Sequence, residues 1–198
     1  MKRYRLQILL FTLILLILPK PGMPQDNFTF GIQANQTAIE VLGEVGFYLQ
    51  PSTFYVGANG VYYEDRYSMG GLHAMVGNVV APGLTGKIGF KGAAGKFKRS
   101  GSDDPNLYAL AFSISGRYDL SEVIAAHYIP VILHATVSIA PKPLSFDDTE
   151  RFFETTFGAD WMFLENAAIT ASYRFVEAKF EEWRRSHGGG YLGFKFIF

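Results

Sequence analysis

From residue 28 onward, apolar side chains recur at every second position in short runs, and turn residues end each run. Two is the period of a strand, whose successive side chains point to opposite faces. Phe28, Phe30, Ile32 and Ala34 alternate with Thr29, Gly31 and Gln33. Ile39, Val41, Gly43, Val45 and Phe47 alternate with Glu40, Leu42, Glu44 and Tyr48. Tyr108, Leu110, Phe112 and Ile114 alternate with Ala109, Ala111, Ser113 and Ser115, and Phe153 to Trp161 alternate with Glu154, Thr156, Gly158 and Asp160. In the closing run Leu192, Phe194, Phe196 and Phe198 share one face. Tyr191, Gly193 and Lys195 take the other, with Ile197 as the exception. Further runs at 54–63, 67–80, 84–98, 130–140 and 169–175 bring the strands to ten.

The connections support that number. With both termini at one end, every second connection is a short turn: 50–52, 81–83, the stretch after Asp119, and 163–166. The longer polar connections, 98–105, 141–149 and a charged loop at 179–187, fall at the other end. The stretch from Asp119 to Tyr128 breaks the alternation and suits a short helical turn capped by Ser121. Merging neighbouring runs would lower the count to nine or eight, whereas ten satisfies the even parity of single-chain bacterial barrels.

A soluble chain that ended on alternating phenylalanines would expose an adhesive edge to water. In a bilayer the same pattern puts aromatics against lipid and charge inside. The expected fold is all-β: a closed antiparallel transmembrane β-barrel of about ten strands in the bacterial outer membrane. Residues 1–25 read as a signal peptide, with Lys2, Arg3 and Arg5 before an apolar run at 6–18. That run is short for a spanning helix. The cleavage region near Gln25 lacks a small-x-small site, so an uncleaved anchor is the alternative. Residues 26–198 then form one barrel domain.

Composition narrows the chemistry. The 18 basic and 18 acidic residues balance, which gives no basic face for nucleic acid. Cysteine is absent, which excludes disulfides, thiolate metal sites and an acylated lipoprotein cysteine. Four scattered histidines have no metal spacing, and no cofactor motif is present. The expected partners are outer-membrane lipids, the barrel-assembly machinery during insertion and, on the channel reading, small polar solutes. The closing strand with Tyr191, Leu192, Phe194, Phe196 and Phe198 resembles the terminal signal by which bacterial outer-membrane barrels are recognised for insertion.

The inward faces collect Glu40, Glu44, Lys87, Lys91, Arg117, Glu154, Asp160, Arg174 and Lys195, joined by Gln33, Asn59, His73 and His134. In a narrow lumen unpaired charges are costly, so ion pairs are expected, with Arg174 and Lys195 beside Glu154 and Asp160. The competing reading is a charged filter for small solutes.

Catalytic strings fail on inspection. His187-Gly-Gly-Gly190 has no nucleophile elbow to serve, and 89–96 lacks phosphate-loop spacing. Ser186 with His187, or His134 with Ser138, has no orienting third group. Asp103-Asp104 and Asp147-Asp148 suit solvated turns in short loops better than a protease dyad. No catalytic residue is assigned, and an outer-leaflet hydrolase is a distant alternative.

The run Gly86-Lys-Ile-Gly-Phe-Lys-Gly92, the string Gly158-Ala-Asp-Trp161, Ala171-Ser-Tyr-Arg-Phe175, and the closing Tyr191-Leu-Gly193 to Phe198 resemble the YfaZ family of small bacterial outer-membrane proteins. That resemblance implies a barrel without assigned catalytic residues. The chain departs from the family in its longer connection after Asp119 and in its cleavage region. Two roles follow from these readings: a structural or surface-exposed barrel with a charge-paired lumen, or a narrow passive channel for polar solutes.

Overall fold

The computed structural model describes residues 27–99, 104–122, 130–181 and 183–198. The signal segment at 1–25 and most of the connection after Glu122 lie outside the described residues.

Ten long strands form one antiparallel sheet: β1 (Asn27–Ala34), β2 (Ala38–Leu49), β3 (Ser52–Tyr63), β4 (Tyr67–Ala81), β5 (Leu84–Phe97), β6 (Asn106–Asp119), β7 (Val131–Ala140), β9 (Thr149–Leu164), β10 (Ala167–Phe180) and β11 (Arg184–Ile197). A two-residue strand, β8 (Ser145–Phe146), pairs with the loop end of β6. Sequence neighbours pair as hairpins, and β1 pairs with β11, so the sheet is a closed barrel without a free long edge. At the seam the Phe28 N–H donates to the Phe198 carbonyl (2.9 Å) and the Phe198 N–H to the Phe28 carbonyl (2.8 Å). A Cβ at Gly193 would run into the Ile32 carbonyl and the Gln33 backbone, so glycine lets β11 approach β1 there.

The alternation sets which side chain faces where, and it inverts a soluble fold. Leu72 is 70% exposed and Leu192 67%, whereas Arg174 is 2% exposed. The outer wall carries Val41, Val56, Val76, Ile88, Phe112 and Ile114, all exposed. Aromatics gather toward its two rims, with Phe47, Trp161, Phe163, Phe196 and Phe198 at one and Tyr62, Tyr108 and Phe146 at the other. A continuous apolar wall with aromatic rims is the exterior of a transmembrane barrel. Among the described residues no helix is long and apolar enough to cross a membrane.

Three sequence expectations need correction. First, the charged stretch 179–187 is mostly strand: β10 runs to Phe180 and β11 starts at Arg184, paired through Lys179↔Arg184 and Val176↔His187. Its charges had suggested a loop, but Arg184 and Lys179 are partly offset by carboxylates of the strands, Arg184 donating to Glu177 and Lys179 to Glu150. The three glycines at 188–190 are therefore inside β11. Second, β6 extends over Asn106–Asp119, beyond the alternation visible at 108–115. Third, the turn after it is a 3-10 segment, Leu120–Glu122, and its cap is Asp119, whose Oδ1 accepts from Ser121 N–H (3.0 Å) and Ser121 Oγ (2.6 Å). Aspartate accepts better than serine at such a position, and Ser121 sits within the turn.

Candidate functional site: the lumen

The interior is layered from the end with the long connections (the loop end) to the end with the termini. At the loop end, apolar side chains fill the barrel. Phe97, Phe152, Leu107 and Val176 are fully buried there, and Val61, Tyr67, Met69 and Phe180 pack with them. Tyr67 stacks on Phe97 (5.1 Å between ring centres), Phe97 meets Phe180 edge-on (5.7 Å), and Trp183 stacks on Phe180 (5.5 Å). Each fully buried residue of this size contributes about 1.5–3 kcal/mol by leaving water. The alternation hid this layer because the expected inward set was polar. The available signal was the doublet Phe152-Phe153, where adjacent aromatics must occupy both faces of one strand.

Below the plug a chain of charges crosses the barrel. Lys91 Nζ on β5 donates to both oxygens of Glu154 on β9 (2.9 and 2.7 Å). Arg174 on β10 donates through Nη2 to Glu154 and through Nη1 to Glu40 on β2. Gln33 donates to Glu40 (2.7 Å) and accepts from Ser172 (2.8 Å). Asn59 reaches Glu40 at 3.4 Å. Three strand steps separate β5 from β9, and three separate β10 from β2, so these contacts are chords across the lumen. The order Lys91, Glu154, Arg174, Glu40 alternates in sign and is neutral as a unit. All four residues are under a tenth exposed.

Nearer the termini lie two further pairs. Lys87 donates to Glu44, which also meets His73 Nε2 at 3.0 Å, and the Lys87 ammonium sits 3.7 Å from the centre of the Tyr55 ring. Lys195 Nζ lies 2.5 Å from Asp160 Oδ2, with His134 Nδ1 at 3.6 Å. Arg117, half exposed at the rim, has Asp119 at 3.8 Å as its one ion-pair partner among the described residues. A hydroxyl ladder, Ser113 to Ser138 (2.6 Å) and Ser115 to Thr136 (2.9 Å), completes the wall. A cavity of about 290 Å³ lies among these groups, with Thr29, Thr85, Arg117 and Ile197 toward the terminus end and Lys91 and Glu154 at its deep end. It has room for roughly ten waters.

All nine lumen charges named from the sequence thus point inward, and eight of them meet across or along the lumen, while Arg117 stands apart. Of the terminal residues, Tyr191 is buried inward and Leu192, Phe194, Phe196 and Phe198 face outward. Glu150 and Glu177, which organise charges on the outer wall, were not picked out by sequence reasoning. Ser186 and His187 face opposite sides of the wall, since Ser186 pairs with the outward Glu177 and His187 with the inward Val176. Asp147 and Asp148 accept from Asn106 (3.2 and 3.1 Å), and Asp104 accepts from the Arg99 N–H (2.9 Å), all as loop clasps. Asp103 lies outside the described residues. Among the described residues no group of three or more His, Asp or Glu side chains is placed to hold a metal ion.

No family model matches the chain, and no curated protein matches it. Solved structures with a similar fold include the KdgM porin in complex with disordered oligogalacturonate (10% identity, 87% of this chain and 99% of that one, TM-score 0.44). The NanC porin is similar at 11% identity, with the same coverages and a TM-score of 0.44. A larger porin is similar at 13% identity over 89% of this chain and 59% of its own, with a TM-score of 0.37. These are likenesses of barrel shape, and the architecture rests on the closed sheet itself.

Proposed function

We propose that this chain is a bacterial outer-membrane barrel that does not conduct, with a structural or surface-exposed role at the loop end. The observation that carries this reading is the pairing of two barriers: the apolar layer around Phe97 and Phe152, then the neutral chain from Lys91 to Glu40. Ions entering from the loop end would meet a mostly apolar layer whose polar groups, Tyr67, Arg185 and His187, are taken up by one another and by the surrounding rings, and partial dehydration there is costly. Among the described residues no lumen group combines a base, a nucleophile and an orienting partner, which favours a role other than catalysis. The strings that resemble the YfaZ family fit the same reading and bring no ligand with them. Leu192, Phe194, Phe196 and Phe198 are read here as the strand presented to the assembly machinery.

A narrow channel for small polar solutes is the competing reading, and the cavity on the terminus side is what favours it. Planar-bilayer recording separates the two. The wild-type barrel should be silent, and conductance should appear only when Phe97, Phe152, Arg174 and Glu40 are all trimmed to alanine. A steady wild-type conductance that changes when Arg174 or Lys195 is neutralised would overturn the closed-barrel reading.

A further inference from the structure

On the outer wall, above the apolar belt at the loop end, three cations stand in one row. Arg151 on β9 is the register partner of Lys179 on β10, and Lys179 is the partner of Arg184 on β11. Partners in an antiparallel pair project from the same face, so the three side chains are immediate neighbours. That face is outward, because the adjacent Phe152 and Ala178 are fully buried inside. Like charges placed directly opposite one another destabilise a sheet. The fold offsets this only in part. Glu177 accepts from Arg151 (2.8 Å) and Arg184 (2.5 Å). Glu150, at the register shift in the β9–β10 pairing, accepts from Lys179 (2.5 Å) and from Lys142 (3.1 Å). A bulge of this kind re-aims a side chain. Among the described residues four cations therefore share two carboxylates, an excess of two positive charges in these contacts. Among the described residues Glu181 forms no ion pair with any of them.

The arrangement of exposure matters as much as the count. The carboxylates are shielded, with side chains 11% exposed for Glu177 and 19% for Glu150. The cations are open: 50% for Arg151, 48% for Lys179, 61% for Arg184 and 76% for Lys142. Their remaining N–H donors face outward. On the same strands and the same face, the next apolar side chains toward the belt are Phe153 and Phe175, in edge-on contact at 6.2 Å, then Phe157 and Tyr173, stacked at 5.3 Å. A fork of guanidinium and ammonium donors directly over an aromatic apolar wall is complementary to one kind of molecule.

We propose that the row Arg151, Lys179 and Arg184 binds the phosphorylated headgroup of an anionic lipid in the leaflet at the loop end, whose acyl chains lie against Phe153, Phe175 and Tyr173. The two arginines suit phosphate oxygens bidentately and Lys179 acts as a point charge between them. The proposal rests on the membrane-spanning reading and is independent of whether the lumen conducts.

The test uses the full chain folded in zwitterionic detergent micelles, with heat-modifiable gel migration scoring the folded barrel in every sample. Dilauroylphosphatidic acid is titrated in and its retention read by native mass spectrometry, with inorganic phosphate and dilauroylphosphatidylcholine as parallel probes. Wild type should retain phosphatidic acid, and the combined variant Arg151→Gln, Lys179→Gln, Arg184→Gln, Glu177→Gln should lose affinity on the order of 100-fold, from three basic contacts. A control that lowers the net charge by the same two units elsewhere on the rim, Arg66→Gln with Lys96→Gln, should leave binding unchanged. Equal loss in control and test would show net charge alone at work and overturn the site. Inorganic phosphate that competes at the same concentration as the lipid would overturn the lipid as the source. Phosphatidylcholine retained equally well would remove the role of the exposed phosphate. If the combined variant shows no folded band, Lys179→Gln alone carries the comparison, with a loss of about fivefold expected. A chain that is monodisperse without detergent would instead overturn the membrane reading, which keeps the two failures distinct.

Discussion

Arg174 is the centre of the transverse charge chain, and replacing it with methionine tests whether that chain is shielded from water. Methionine roughly keeps the side-chain length and volume, so the loss is mainly electrostatic. In the folded chain the Arg174 side chain is 1% exposed and binds Glu40 and Glu154, each with a side chain 6% exposed. Without it Glu154 retains Lys91, while Glu40 is left with the amides of Gln33 and Asn59. The unit changes from neutral to one uncompensated negative charge. Breaking a buried pair in this way costs about 3–5 kcal/mol. Arg174→Met with Glu40→Met restores neutrality around the Lys91–Glu154 pair. The double variant should therefore fall short of the summed single losses by about 2 kcal/mol. Reversible urea unfolding in phospholipid bilayers, followed by the fluorescence of Trp161 and Trp183, measures all four corners of the cycle. A single-variant loss below about 1 kcal/mol, with additivity within about 0.5 kcal/mol, would mean that water screens the chain. The charge chain would then fail as a barrier.

Two further outcomes follow from register and closure. Phe112→Arg places a charge on the lipid face of β6 and should cost about 2–4 kcal/mol near the midplane, whereas Ser113→Ala, one residue along and facing inward, should cost about 1 kcal/mol through its lost bond to Ser138; equal losses in the same urea assay would show the register to be wrong. Deleting Phe198 removes both seam hydrogen bonds to Phe28 and its ring contact at 6.1 Å, and should lower the heat-modifiable folded fraction after insertion; an unchanged fraction would show that the terminal residue contributes nothing to closure or assembly.

The two-residue period is a property of the extended backbone itself, so the facing of Glu40, Lys91, Arg174 and Lys195 could be read from local spacing alone. Turn chemistry is likewise local: the Gln50-Pro51 step and Gly83, at φ 72°, mark their reversals without knowledge of the rest of the chain. Ten strands and a lipid-facing Phe112 follow from those two sources. Strand ends were less legible, because Arg184 and Lys179 look like loop residues until their partners Glu177 and Glu150 come alongside from other segments. Which inward charges meet was not legible at all. Lys91 and Glu154 are 63 residues apart, and Arg174 and Glu40 are 134 apart. Their contact depends on how the strands stagger as the sheet curves shut, because the stagger sets the height of each side chain in the lumen. The apolar plug has the same origin. Phe97, Phe152 and Phe180 occupy inward positions on β5, β9 and β10, and only closure brings them to one level where they exclude water together.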